Sequence, residues 1–126
     1  MKYDSIDPPR EFPVGQYEKI IIKDCGKIEM NPDEQVTFVT PTGTEYDVAR
    51  KSWGYYATPS LNGRLKNFHL RGALMRGETG KLWVALIEQG QESDFEAYLI
   101  MEHLTLVCWL DSDEQVDKLV HRMREA

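Results

Sequence analysis

Short runs of alternating apolar and polar residues fill the first two thirds of the chain. One such run lies at 35–40, a second at 45–49 and a third at 68–75. Clusters of Gly, Pro, Asn and Asp separate the runs, as in the tight turns between short antiparallel strands. The pattern therefore predicts a meander of about five or six short, mostly antiparallel strands.

The period of the pattern changes near residue 93. An apolar stripe with helical spacing begins at Val116, which is typical of an amphipathic helix. Ser93 and Ser112 are each followed three residues later by Glu or Gln, so two capping boxes are predicted to begin two helices. The almost continuously apolar run 104–110 predicts a strand that is covered on both faces.

Strand, helix, strand and helix thus follow the meander, and the predicted class is α+β. The connection within 81–110 is long enough for its two strands to form a parallel pair. Residues 1–15 contain three prolines and a glycine, which disfavour a helix and a central strand. We therefore expect an extended Pro-rich arm at 1–15 and a single α+β domain at 16–126.

Composition narrows the class of protein. The chain has 126 residues, of which 41% are hydrophobic and 29% charged, as expected for one globular domain with one core. The sequence has neither an apolar leader nor a long apolar run, so we expect a cytoplasmic protein without membrane association. In that compartment Cys25 and Cys108 are expected as free thiols, although a disulfide between them stays open.

The charge is unevenly distributed along the chain. The net charge is −6, yet the segment 50–81 contains seven basic residues and one acid. The acidic total argues against nucleic-acid binding. The basic residues could form one surface or pair with the acids of the same chain, and the sequence leaves both arrangements open.

Motifs for cofactors and metals do not occur. The chain has no Gly-rich phosphate-binding or dinucleotide-binding pattern, and its three histidines have no metal-ligand spacing. We therefore predict no cofactor and no metal. Cys25 lies between Lys23 and Lys27, a setting that favours a thiolate, but no base is placed beside it.

The most unusual segment combines aromatic and basic residues at 50–71. Aromatic rings stack on sugar or base rings, and arginine binds phosphate or carboxylate in a bidentate manner. We therefore predict a ligand-binding site for an anionic small molecule, such as a nucleotide-linked or phosphorylated sugar. The predicted site residues are Arg50, Trp53, Tyr55, Tyr56, Asn62, Arg64, His69 and Arg71. The alternative places Trp53 and one tyrosine in the core and pairs the basic residues with acids.

Two stretches carry a resemblance to other sequences. They are 23–65, with Trp-Gly-Tyr-Tyr-Ala-Thr-Pro-Ser-Leu-Asn-Gly-Arg-Leu, and 107–111, with Val-Cys-Trp-Leu-Asp. The chain resembles small uncharacterised bacterial proteins, some of them associated with surface-polysaccharide gene neighbourhoods. The resemblance implies a sugar-related ligand and carries over no fold, activity or catalytic residue.

Three functions remain from the sequence. The first is a non-catalytic binding or accessory module that recognises an anionic small molecule or a partner enzyme through 50–71. The second is a small enzyme that acts on such a metabolite with Cys25, Tyr55, Tyr56 or His69. The third is a structural protein that forms oligomers through its aromatic residues. No catalytic motif is present, which favours the first function, and a homodimer is compatible with all three.

Overall fold

The computed structural model describes residues 1–125 and has an α+β architecture. Four strand pairs are antiparallel, so the predicted class and the mostly antiparallel pairing are confirmed. In chain order the elements are β1 Lys2–Val14, β2 Ile20–Glu29, β3 Gln35–Val39, β4 Glu45–Lys51, β5 Gly54–Ala57, a 3-10 helix Arg64–Phe68, β6 Leu70–Arg76, β7 Leu82–Glu88, α1 Glu92–Met101, β8 Thr105–Trp109 and α2 Asp113–Glu125.

The chain divides into two compact units. Unit 1 consists of Met1–Thr37 and Asp47–Thr58, and unit 2 of Phe38–Tyr46 and Pro59–Ala126. The sequence instead predicts an arm at 1–15 and one domain at 16–126. The two divisions differ because the predicted arm is β1, which pairs along β2 inside unit 1.

A two-stranded ribbon of β1 and β2 forms the largest part of unit 1. The ladder is interrupted between Ser5 and Arg10, which is where Pro8 and Pro9 lie. Proline cannot donate a ladder hydrogen bond, so it is tolerated in a strand at an edge or a bulge. The ribbon therefore accommodates the prolines that the sequence assigns to an arm.

The remainder of unit 1 belongs to a three-stranded sheet in the order β3-β4-β5. The hairpin of β4 and β5 turns at Ser52 and Trp53. Its first strand is tied to the preceding turn, because the Asp33 amide donates to the Arg50 carbonyl at 2.7 Å and the Arg50 amide donates to the Glu34 carbonyl at 2.8 Å.

Unit 2 holds the core of the chain. Its sheet has the order β7-β6-β8, and the buried cluster consists of Ala73, Met75, Ile87, Phe95 and Leu99. The first three alternate along β6 and β7 on one face of the sheet, and the last two lie on α1. The parallel pair that the connection within 81–110 would allow does not form, because both strands instead flank β6 and run antiparallel to it.

The helix starts agree only in part with the predicted capping boxes. Helix α1 begins at Glu92 with Gln91 at its N-cap, without a side-chain cap bond, so the capping box at Ser93 is wrong. At α2 the Ser112 hydroxyl accepts from the Gln115 amide at 3.2 Å, as predicted. The Gln115 side chain accepts from the Trp109 amide at 2.6 Å and thereby links α2 to the end of β8.

Strand β8 is an edge strand in which only Cys108 is buried, so the prediction of a strand covered on both faces is wrong. Within residues 1–125, no helix is long and apolar enough to cross a membrane.

Candidate functional site

The eight predicted site residues are divided equally between the two units. Unit 1 contains Arg50, Trp53, Tyr55 and Tyr56, and unit 2 contains Asn62, Arg64, His69 and Arg71. That all eight form one binding site stays a prediction. Within each unit, however, the surroundings of the side chains can be described.

The aromatic residues of unit 1 are exposed on the β4–β5 hairpin. Trp53 is 69% exposed, Tyr55 67% and Tyr56 52%. Trp53 and Tyr56 meet edge to face with ring centroids 6.4 Å apart, and the Arg50 guanidinium lies 6.0 Å from the centre of the Tyr55 ring. The alternative that places Trp53 and one tyrosine in the core is therefore wrong.

Arg71 is engaged by acids of its own unit. Its guanidinium donates to both carboxylate oxygens of Asp111 at 2.8 and 3.2 Å and lies 3.7 Å from Glu92. It also stacks over Trp109, 3.9 Å from the ring centre. The hydrogen bonds to Asp111 raise the pKa of Arg71 above its ordinary value. This arrangement neutralises the guanidinium internally, which supports the pairing alternative.

Two other predicted residues of unit 2 also have partners. The Asn62 amide donates to the Asp113 carboxylate at 3.0 Å. The Arg64 guanidinium lies 5.7 Å from the centre of the Phe68 ring. Outside this group, Lys51 of unit 1 is paired with Asp33. Of these contacts, the ion pair between Lys51 and Asp33 offsets a positive charge of the segment.

His69 lies in a pocket of unit 2. It ends the 3-10 helix in the left-handed conformation, with φ 63°, a region that non-glycine residues adopt rarely. The pocket has a volume of about 420 Å³, within the range of about 300–1,000 Å³ of ligand sites. Every lining residue carries a hydrogen-bonding side chain: Thr42, Thr44, His69, Glu88, Gln89 and Gln91.

Glu88 is the electrostatic centre of this pocket. The hydroxyls of Thr42, Thr40 and Thr44 converge on its Oε1 at 2.6, 2.8 and 3.4 Å. Hydrogen bonds from Thr42 and then Thr40 hold the pKa of Glu88 below its ordinary value of 4.5. All three bonds end on Oε1, so Oε2 has lone pairs to accept from a ligand.

An apolar pocket adjoins the polar one. It has a volume of about 350 Å³ and shares Thr44 and Glu88 with the polar pocket. Its aromatic lining residues are Phe38, which is exposed, and Tyr46, which is half-buried and whose pKa is raised by burial. Val39, Leu70 and Leu86 complete its apolar wall. The two pockets place polar and apolar surfaces side by side in unit 2.

Apart from His69, the sequence reasoning missed the residues of these pockets. The stretch Thr40-Pro-Thr-Gly-Thr44 predicts only a turn, although threonine occupies every second position. That spacing is the one sequence signal for a cluster of hydroxyls. Nothing in the sequence indicates that Glu88, which is 46 residues away from Thr42, is their acceptor.

Comparison with known proteins leaves this geometry as the basis for assigning a function. No family model matches the chain, and no curated protein or solved structure matches it.

Proposed function

We propose that the protein is a non-catalytic binding module for a sugar that is neutral or carries an amino group, held by the two adjoining pockets of unit 2. The observation that carries the proposal is the lining of the polar pocket, in which every side chain donates or accepts hydrogen bonds. Such a lining matches the many hydroxyl groups of a sugar, each of which is both donor and acceptor. As expected from the sequence, the proposed module is cytoplasmic.

The apolar pocket supports the same class of ligand. Sugar rings have polar edges and faces of carbon-bound hydrogen, and these faces pack against the electron-rich face of an aromatic ring. Phe38 and Tyr46 supply such rings next to Glu88. The resemblance to proteins from surface-polysaccharide neighbourhoods favours a sugar as well.

The charge of the pocket favours a neutral or cationic sugar over an anionic one. Glu88 is the one lining residue of the two pockets that is formally charged at pH 7 when histidine is neutral. A carboxylate repels phosphate and attracts hydroxyl or ammonium donors. Arg71, which the sequence predicts to bind an anionic ligand, is already paired with Asp111. The proposed ligand is therefore still a sugar, but a neutral or cationic one instead of the anionic one predicted from the sequence.

The experiment compares three probes that share one ring: glucose, glucosamine and glucose 6-phosphate. Isothermal titration calorimetry should detect glucosamine and glucose but not glucose 6-phosphate. Replacing Glu88→Gln removes a charge-assisted hydrogen bond and should weaken glucosamine binding about tenfold to hundredfold. Glu96→Gln, at an exposed position of α1, is the matched control and should bind like the wild type.

Equal binding by Glu88→Gln, Glu96→Gln and the wild type would contradict the proposal, and so would preferential binding of the phosphate. The enzyme alternative depends on His69, which lines the same pocket. It would gain support if a bound probe were chemically converted and if His69→Asn stopped the conversion without changing the affinity.

A further inference from the structure

Unit 1 has no core of its own. All of its residues, 1–37 and 47–58, are described, and none of them is buried. Its main element is a two-stranded ribbon, and an isolated ribbon of this kind is marginally stable in water. Some further surface must therefore cover the ribbon for unit 1 to be stable.

One face of the ribbon is mainly apolar, although it also carries the ion pair between Arg10 and Asp24 at 3.2 Å. In its register Phe12 faces Ile22 and Val14 faces Ile20, while Tyr3 faces Ile28 beyond the bulge. Directly opposed residues of an antiparallel pair share a face, and positions 20, 22 and 28 share a face in the regular alternation of a strand. Tyr3, Val14 and all three isoleucines are exposed.

The opposite face of the ribbon is mainly ionic, with the pair of Pro13 and Ile21 at one end. It carries the opposed pairs Lys2 with Glu29, Asp4 with Lys27 and Glu11 with Lys23. An exposed apolar face backed by a charged one is the pattern of a surface that packs against a partner. The pattern also says which face is the contact surface and which face points to water.

The charge of the ribbon suits a second copy of the same chain. β1 and β2 together hold four basic and five acidic residues, a balance of −1 within a chain of −6. Two copies that meet at this nearly neutral element avoid the like-charge repulsion that a contact through the acidic remainder would cause. A symmetric contact also requires a patch that is complementary to itself. An apolar stripe meets this requirement.

We propose that the β1–β2 ribbon is a homodimerisation surface, in which two copies pack their apolar faces together around a two-fold axis. The result is a two-layer arrangement of four strands that gives unit 1 a core. The occupant is a second copy of this chain. The inference concerns unit 1 alone, so it can fail while the sugar site of unit 2 stands, and the reverse also holds.

Adjacent isoleucines on opposite faces provide a matched test. Ile22 lies on the apolar face and is 41% exposed, whereas Ile21 lies on the ionic face and is 55% exposed. Sedimentation equilibrium of the full chain should give a mass of two chains for the wild type and for Ile21→Glu. Ile22→Glu should sediment as one chain of 14.6 kDa.

A wild type that sediments as one chain at every concentration would overturn the proposal and leave a different protein as the occupant. Equal masses for Ile21→Glu and Ile22→Glu would also overturn it. If Ile22→Glu does not fold, a second test uses an amine-reactive cross-linker on a mixture of 15N-labelled and unlabelled wild-type chains. Mass spectrometry then distinguishes links between two copies from links within one copy. Cross-links between copies that join β1 or β2 to its counterpart support the proposal, and cross-links confined to other elements contradict it.

Discussion

At the scale of single residues, Glu88 predicts a dependence of stability on pH. Its pKa in the folded protein lies below 4.5, because the hydroxyls of Thr42 and Thr40 bond to the carboxylate. A group whose pKa is lowered by folding stabilises the protein above its unfolded pKa, and this contribution is lost as the pH falls through the folded pKa. The hydrogen bonds of Glu88 to the 38–46 segment therefore stabilise unit 2 most near neutral pH, where the carboxylate is ionised.

We expect the melting temperature of Glu88→Gln to lie below that of the wild type near neutral pH and to approach it as the pH falls through the folded pKa of Glu88 and the wild-type carboxyl becomes protonated. Differential scanning calorimetry over this pH range measures the difference. The difference for Glu96→Gln should not follow the same course. A constant gap between Glu88→Gln and the wild type would show that the ionised form of Glu88 is not what the hydroxyls stabilise.

Arg71 shows where sequence reasoning stops. Residue type alone predicted that Arg71 could bind an acid, and it does, but the acid is Asp111 of the same chain. Partners 40 residues apart come together only through the pairing of β6 with β8. For this reason the sequence identified a chemically capable side chain and assigned it to an outside ligand.

At the scale of elements, glycine positions allow a sharp test of the ribbon. Gly26 and Gly54 have nearly equal φ values, +145° and +150°, which only glycine adopts readily. A Cβ at Gly26 would come within 2.3 Å of the Asp4 carbonyl oxygen on β1, whereas a Cβ at Gly54 would meet no atom within 4 Å. Substitution at Gly26 therefore adds a clash between the strands to the backbone strain that both substitutions share.

Gly26→Ala should accordingly lower the free energy of unfolding more than Gly54→Ala does, by about 1–3 kcal/mol. Urea denaturation at one fixed protein concentration measures both variants. Equal losses would show that β1 can move away from β2 at no cost, and a ribbon so loose could not present a defined face.

Elements were predictable where local sequence determines them. The apolar stripe from Val116 and the Ser112 cap gave α2, and alternation gave the strands of the meander. The predicted N-cap of α1, Ser93, is two residues too late, because the helix begins after its N-cap Gln91, whose carbonyl accepts the Phe95 amide at 3.1 Å. The order β7-β6-β8 depends on pairings between distant segments, and local patterns do not encode them.

At the scale of the whole molecule, the distribution of buried residues predicts two stabilities within one chain. The buried cluster lies in unit 2 and is complete within one copy. Unit 1 has no buried residue in any of its described positions, so in the proposed dimer its protection depends on the second copy. Protein concentration should therefore affect the two units differently.

Hydrogen exchange of the wild-type chain at two concentrations tests this difference without any substitution. At concentrations well above the dissociation constant, the dissociated fraction of a dimer rises with the square root of dilution. A hundredfold dilution should therefore speed exchange at β2 amides about tenfold. Amides of β6, which pair within unit 2, should exchange at the same rate at both concentrations. If β2 and β6 respond alike to dilution, the ribbon does not owe its stability to a second copy, because only an element completed by another chain responds to mass action.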